Sequence, residues 1–264
     1  MTIRELSDEE VRTFHEQGWV YVPALIEPDC AKALAQRAKA LMGEKALLTT
    51  GGGGGDPQFA EYRDILRNYL GFWKEDPLAR ELSHSTQHAK NASRLLRNRS
   101  VRFFNDEVLV KPPQAEGGKG TPWHQDFPHA TFDRTGLINT WISLVELPPE
   151  GGAMAFLSGS HFHGPLGRTL LDEQDVVEQN PWLLDHTTIA RPVAMMPGDA
   201  TIHGDLTIHC GPAFDGPHWR WAYLINLMDA SIRHTGATGY GEKTDTLIAD
   251  TTFPEDRYPL LYTI

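Results

Sequence analysis

The chain is poor in cysteine: only Cys30 and Cys210 occur in 264 residues. So few thiols argue against a disulfide framework and make a reducing compartment the default expectation. Basic charge is also scarce. The 24 Lys and Arg are outnumbered by 35 Asp and Glu, for a formal net charge of −11 at pH 7. Phosphate backbones need clustered Lys and Arg, so nucleic acid is excluded as the main partner. The one basic stretch, Arg94, Arg97, Arg99 and Arg102, reads as a solvated helix end, where cations complement the helix dipole. No apolar run approaches the roughly 20 residues of a membrane span. The segment from Met1 to Leu6 lacks the apolar core of a signal peptide. A soluble, cytoplasmic protein that does not engage membranes is expected. No internal repeat is present. What the chain does have is 40% hydrophobic residues, enough for one sizeable core at this length.

Residues 1–100 read as mostly helical. Ser7 and Glu10 form a capping-box pattern, with Leu6 placed to staple onto Val11. Trp19, Val20, Tyr21 and Val22 make a short β-type run ending at Pro23. A helix follows Pro28, with Cys30, Ala33, Leu34, Ala38, Leu41 and Met42 at helical spacing. Five glycines occupy 51–55. No strand precedes them and no Lys-Ser/Thr follows, so they read as a flexible loop and not a phosphate cradle. Phe59, Tyr62, Ile65, Leu66, Tyr69 and Trp73 predict a further amphipathic helix, and 78–96 another.

From Val101 the texture changes. Short apolar or alternating runs occupy 101–111, 138–147, 153–157, 190–196, 200–203, 206–210 and 219–228. Pro and Gly pairs separate them, among them Pro112-Pro113, Gly151-Gly152 and Gly211-Pro212. Many short strands with such turns indicate a sandwich or barrel. The expected architecture is mainly β: a double-stranded β-helix, or cupin-like jelly roll, over 101–264, packed by the N-terminal helices. The whole chain, 1–264, is expected to be a single domain.

Three residues point to chemistry. His124 and Asp126, in Trp123-His124-Gln125-Asp126, are separated by one residue, so on a strand both side chains leave one face. His209 lies far downstream on what would be a different strand. Two imidazoles and one carboxylate can hold one face of an iron ion and leave the other open to co-substrate and O2. Arg220, the next arginine after His209, is suited to clamp a carboxylate. With 12 histidines, decoys need weighing. His203-Gly204-Asp205 repeats the pattern, but 203 to 209 on one strand would span about 20 Å at roughly 3.3 Å per residue, too far for one ion. His161 and His163 lack a nearby carboxylate. His129 and His203 are the histidines expected to touch the site without ligating.

These residues resemble the phytanoyl-CoA dioxygenase superfamily of Fe(II)/2-oxoglutarate-dependent oxygenases. Four segments carry the resemblance: Val108 to Pro113, ending in Lys111-Pro112-Pro113; Pro122 to Asp126; the hairpin from Glu150 to His161; and the His209-to-Arg220 interval. The Leu157-Ser158-Gly159-Ser160-His161 turn departs from the family's Pro-Gly-Ser-His, and the stretch between His209 and Arg220 lacks the family's Asn and Ser. The resemblance implies a non-haem iron dioxygenase in which His124, Asp126 and His209 are both metal ligands and catalytic residues. It further implies that Arg220, Lys111, Gln125 and Trp141 bind 2-oxoglutarate. O2 would be consumed, succinate and CO2 released, and a substrate C–H bond oxidised, most simply hydroxylated. Desaturation, cyclisation and epimerisation are outcomes open to the same chemistry. A carboxylate at 126 argues for oxygenation over halogenation.

No basic cluster would hold a coenzyme A phosphate. The expected substrate is therefore a free small metabolite, such as an intermediate of secondary metabolism or an amino-acid-like compound. The sequence leaves the oligomeric state open. Two alternatives stay open too: a non-catalytic metal- or ligand-binding module, and a cupin-type metalloenzyme that does not use 2-oxoglutarate.

Overall fold

Ser7 starts the first helix, α1 (Asp8–Gln17). Its hydroxyl accepts from the Glu10 N–H at 3.1 Å, and the Glu10 carboxylate accepts from the Ser7 N–H at 2.7 Å, the reciprocal box the sequence predicts. Gly18, at φ +83°, ends the helix in the left-handed conformation that glycine adopts without strain. The chain then enters β1 (Trp19–Val22) and α2 (Pro28–Met42), which buries Cys30, Ala31, Leu34, Ala35, Ala38 and Met42 along one stripe. This computed structural model describes residues 3–50, 65–148, 152–167, 175–191, 194–213, 216, 218–237 and 247–264.

The glycine run at 51–55 lies outside the described residues. So do 59–64 of the helix expected over 59–73. Its described part is instead a strand, β2 (Arg67–Leu70), and a 3₁₀ turn at Phe72–Lys74. Asn68 and Tyr69 sit opposite Leu109 and Val108 of a neighbouring strand; this pairing overrides the local helical spacing. The helix expected over 78–96 is two, α3 (Pro77–Ser83) and α4 (Thr86–Leu95). Ser85 separates them because its hydroxyl accepts from the His88 N–H and caps the second.

The β elements follow: β3 (Val101–Lys111), β4 (Thr121–His124), β5 (Leu137–Ser143), β6 (Ala155–Ser158), β7 (Thr188–Ala190), β8 (Ala200–Gly204), β9 (His209–Gly211), β10 (Arg220–Asp229) and β11 (Leu260–Tyr262). They form two antiparallel sheets, as a jelly roll requires. The larger runs β1-β8-β5-β10-β3-β11, with β2 also paired to β3; the smaller runs β4-β9-β6-β7. Of the strand expected over 190–196, the described residues give a strand that ends at Ala190 and a bridge from Leu147 to Met195, with 192 and 193 outside the described residues. The strand expected over 206–210 starts at His209, because 205 and 206 form a turn.

Alternation along β10 sorts the core into two layers. Trp221, Tyr223, Ile225 and Leu227 pack with the helices. Ala222 and Leu224 point between the sheets, where Trp141 and Phe156 meet them. Two of the four clustered arginines are structural, not solvated as expected. Arg94 donates to the Leu6 carbonyl. Arg102 donates to the Tyr258 carbonyl at 3.0 Å, which fastens the C-terminal segment to β3. Among the described residues, no helix is long and apolar enough to cross a membrane.

Candidate metal centre

The strand β4 ends at His124, and Asp126 lies beyond it in a helical conformation (φ −77°, ψ −36°) before the turn Phe127–His129. The expectation that both leave one face of a single strand is therefore not how they meet. His124 and His209 are instead Cα partners across β4 and β9, and their rings lie 4.2 Å apart at 50°. The turn after His124 carries Asp126 back over this pair. Its Oδ1 sits 3.8 Å from Nε2 of each ring. One ligand atom from each of the three residues lies within 4.8 Å of the others.

The ring orientations are fixed by the backbone. Nδ1 of His124 lies 2.8 Å from the Pro122 carbonyl, and Nδ1 of His209 lies 3.0 Å from the Thr207 carbonyl. A carbonyl only accepts, so each Nδ1 carries the proton and each neutral ring turns an Nε2 lone pair to the centre. Burial, and then the neighbouring imidazole, push both histidines down to about 4. Burial of Asp126 is outweighed by His209 and His203, which hold its carboxyl well below the usual range. Two lone pairs and an anionic oxygen converging in a buried site repel one another unless a cation lies between them. This donor set fits a divalent metal held on one face.

The other oxygen of Asp126 is supported from the large sheet. Oδ2 lies 3.4 Å from Nε2 of His203 and 3.4 Å from Nδ2 of Asn139. His203 thus touches the site, as expected. Its companion Asp205 is turned away: its carboxylate accepts from Thr135 and from the Gly136 and Leu137 N–H groups at 3.1 and 3.2 Å. Sequence reasoning missed Asn139. The available signal was a lone amide in the apolar run Ile138-Asn139-Thr140-Trp141-Ile142.

Two cations line the neighbouring interior. Lys111 and Arg220 are Cα partners across β3 and β10. Lys111 is 0% exposed; its ammonium donates to the Lys119 carbonyl at 2.8 Å, the Thr121 hydroxyl at 3.1 Å and the Gly211 carbonyl at 3.2 Å. Burial, then Arg220, drive its pKa well below the usual lysine value. Arg220 donates to the Gly152 carbonyl, and its guanidinium lies 5.6 Å from the Trp141 ring centre. Burial pushes it down to about 10. Among the described residues, neither cation is paired with an acid.

Gln125 is not free to bind a co-substrate through its N–H groups, contrary to expectation. It donates to the Gly164 and Leu206 carbonyls at 2.9 and 2.7 Å, and its oxygen accepts from the Leu166 N–H. It pins the segment between the two metal-facing residues to the loops around it. Cys210, beside His209, is buried, and burial pushes its thiol up to about 12, so it is a filler and not a nucleophile at neutral pH.

Comparison with known proteins gives one family. The model of the phytanoyl-CoA dioxygenase (PhyH) family matches residues 14–222. The phytanoyl-CoA dioxygenase domain-containing protein 1 of Mus musculus is 25% identical over 166 residues, 59% of this chain and 54% of that protein. The match thus spans about half the length of that relative. Among solved structures, the non-heme alpha ketoglutarate dependent carbocyclase SnoK from nogalamycin biosynthesis aligns with a TM-score of 0.78 at 23% identity, over 99% of each chain. The epimerase SnoN, in complex with Fe3+, alpha ketoglutarate and nogalamycin RO, gives a TM-score of 0.76 at 22% identity, over 97% of this chain and 98% of that one. EctD from S. alaskensis, with 2-oxoglutarate and 5-hydroxyectoine, gives 0.74 at 20% identity, over 96% and 87%. At these identities the likeness is one of fold.

Proposed function

The chain belongs to the phytanoyl-CoA dioxygenase family of non-haem iron, 2-oxoglutarate-dependent enzymes, and from that premise we propose that it oxidises, most simply hydroxylates, a C–H bond of a small metabolite. His124, Asp126 and His209 would hold Fe(II). Iron, 2-oxoglutarate and O2 together supply the oxidising power, with release of succinate and CO2. The observation that carries the reading is the convergence of two backbone-oriented imidazoles and one carboxylate beside two buried cations that, among the described residues, lack an acid.

Each residue has a definite task. Arg220 presents a planar fork to the distal carboxylate of 2-oxoglutarate, and Lys111 adds a second positive charge beside it. Trp141 walls this end and keeps water from the pair. Asn139 and His203 hold Asp126 with one oxygen directed at the metal. Gln125 positions the turn that lets Asp126 reach back over His124.

A free small molecule is favoured over an acyl-CoA because no basic cluster is at hand for the coenzyme's phosphates. The solved relatives named above include a carbocyclase, an epimerase and a protein crystallised with 5-hydroxyectoine. Small-molecule substrates, some of them in secondary metabolism, therefore suit this fold.

The test is an anaerobic titration with Fe(II) and 2-oxoglutarate, followed by succinate measurement in air. A weak visible charge-transfer band and iron-dependent succinate release are expected, with both lost in His124→Ala and Asp126→Ala. A protein that takes up no iron and consumes no 2-oxoglutarate contradicts the proposal. Band formation without any turnover would favour a binding module.

A further inference from the structure

One face of the large sheet carries an unbroken row of polar side chains. His203 (β8), Asn139 (β5), Asn226 (β10) and Asn105 (β3) are successive Cα partners across four strands. The row begins at Asp126 and runs away from it for about 14 Å, at roughly 4.8 Å per strand. Glu107 lies two residues further along β3, on the same face as Asn105. Asn68 of β2 donates to its Oε2 at 2.7 Å.

The hydrogen bonds already made fix how the amides are turned. Asn139 donates N–H to Asp126, whose ionised carboxylate only accepts, and Asn68 donates N–H to Glu107. Both carbonyl oxygens are then left over, and both are buried without a partner. Oδ1 of Asn226 is in the same state, its nitrogen being given to Asn105 at 2.6 Å. These asparagines are only 7%, 8% and 6% exposed (Asn139, Asn68, Asn226). Orphaned buried acceptors are rare in native proteins and call for a ligand or a role. Here three unspent groups are carbonyl acceptors, and beside them Glu107 is a carboxylate with no cation next to it among the described residues. Burial raises Glu107 to about 7, against the Asn68 bond and helped by Asp126. Charge is thus segregated along β3: Lys111 at the end assigned to 2-oxoglutarate, and Glu107 about 13 Å away by strand geometry.

We infer that this row is the substrate-recognition surface, and that the substrate carries a protonated amine whose hydrogens meet Glu107 and the asparagine carbonyls while the carbon to be oxidised faces the metal. The inference rests on the iron and 2-oxoglutarate reading given above. An anionic substrate would be repelled here, and a neutral one would give the half-buried Glu107, which has no cation beside it among the described residues, no counter-charge.

The test uses the full chain loaded anaerobically with Fe(II) and 2-oxoglutarate. The probes are primary and secondary alkyl- and cycloalkylamines, each with its N-acetyl, alcohol and carboxylic acid counterpart. Binding is read by calorimetry and by perturbation of the charge-transfer band. The expected result is that amines bind and their counterparts do not. Glu107→Gln, which retains an acceptor for Asn68, should keep the band but weaken amine binding roughly 10- to 100-fold, as loss of a charge-assisted bond predicts. Asn226→Leu should weaken the same amines. The inference is overturned if no amine binds, if neutral or acidic counterparts bind better, or if Glu107→Gln binds amines as the wild type does. A wild-type protein that forms no band sinks the iron reading itself, and this inference falls with it.

Discussion

Replacing Arg220 with Met should make the ligand-free protein slightly more stable and destroy its response to 2-oxoglutarate. The guanidinium is 5% exposed, next to the equally buried Lys111, and burial lowers it from 12.5 to about 10. At 1.36 kcal/mol per pH unit, that depression costs the charged form about 3 kcal/mol. The sign is clear: a base depressed by folding destabilises the fold wherever it is still protonated, so at pH 7 the full cost is present, and it is relieved only above about pH 10. Methionine removes the charge and keeps most of the volume. Lost with it are the hydrogen bond to Gly152, about 1 kcal/mol, and the contact with Trp141, about 0.5–1 kcal/mol. The balance is a gain of about 1 kcal/mol, or about 2 °C in Tm for a chain of this size. In the presence of Fe(II) and 2-oxoglutarate at about 100 times its Kd, the wild type should instead gain about 2.7 kcal/mol, and the variant almost nothing. The two melting curves therefore exchange order when co-substrate is added. Anaerobic thermal melts with and without 2-oxoglutarate measure this. A variant less stable than wild type without ligand, yet stabilised equally by 2-oxoglutarate, would refute the assignment of Arg220 as an uncompensated clamp.

Metal affinity should also have an unusual pH profile. His124 and His209 are both lowered to about 4, so protons compete with the metal only near that pH. The Kd for Co(II) should be flat from pH 8 to about 5.5 and rise below 5; a midpoint near the ordinary imidazole value of about 6.5 would mean that the rings are not held neutral by burial. Gly118→Ala should impair 2-oxoglutarate binding while metal affinity stays within about twofold. A Cβ at 118 would lie 2.1 Å from the Pro112 carbonyl oxygen, so the turn must shift and take with it the Lys119 carbonyl that receives the Lys111 ammonium. Parallel titrations with Co(II) and with 2-oxoglutarate separate the two effects.

The jelly roll and the first helix were legible because their signals are local: the Ser7–Glu10 box and the dense Gly and Pro breaks after Val101. β2 was hidden because Tyr69 and Trp73 keep helical spacing, while the pairing of Asn68 with Leu109 depends on residues far along the chain. The convergence of His124, Asp126 and His209 was readable from residue type and separation, but the expected geometry was not the one found. A strand ending at His124 and a helical conformation at Asp126 achieve what a continuous strand was expected to do. Distance along a strand does not demote His203-Gly204-Asp205, because a turn at 205 and 206 splits the expected strand and brings the rings of His203 and His209 to 4.2 Å. The cause of its demotion, visible only in three dimensions, is that Asp205 faces the backbone of Gly136 and Leu137. Gln125 shows the converse limit: proximity in sequence to two metal-facing residues says nothing about which way an amide points.

Both metal-facing imidazoles take their orientation from the carbonyl two residues earlier in their own chain segment, Pro122 for one and Thr207 for the other. Among the described residues no side chain shares that hold, so an exchange of one of them on the surrounding walls leaves it in place. A lineage built on this scaffold is free to remodel what it accepts, one wall residue at a time, while the nitrogens go on aiming at the same spot. Catalytic competence and substrate choice are in this way inherited separately.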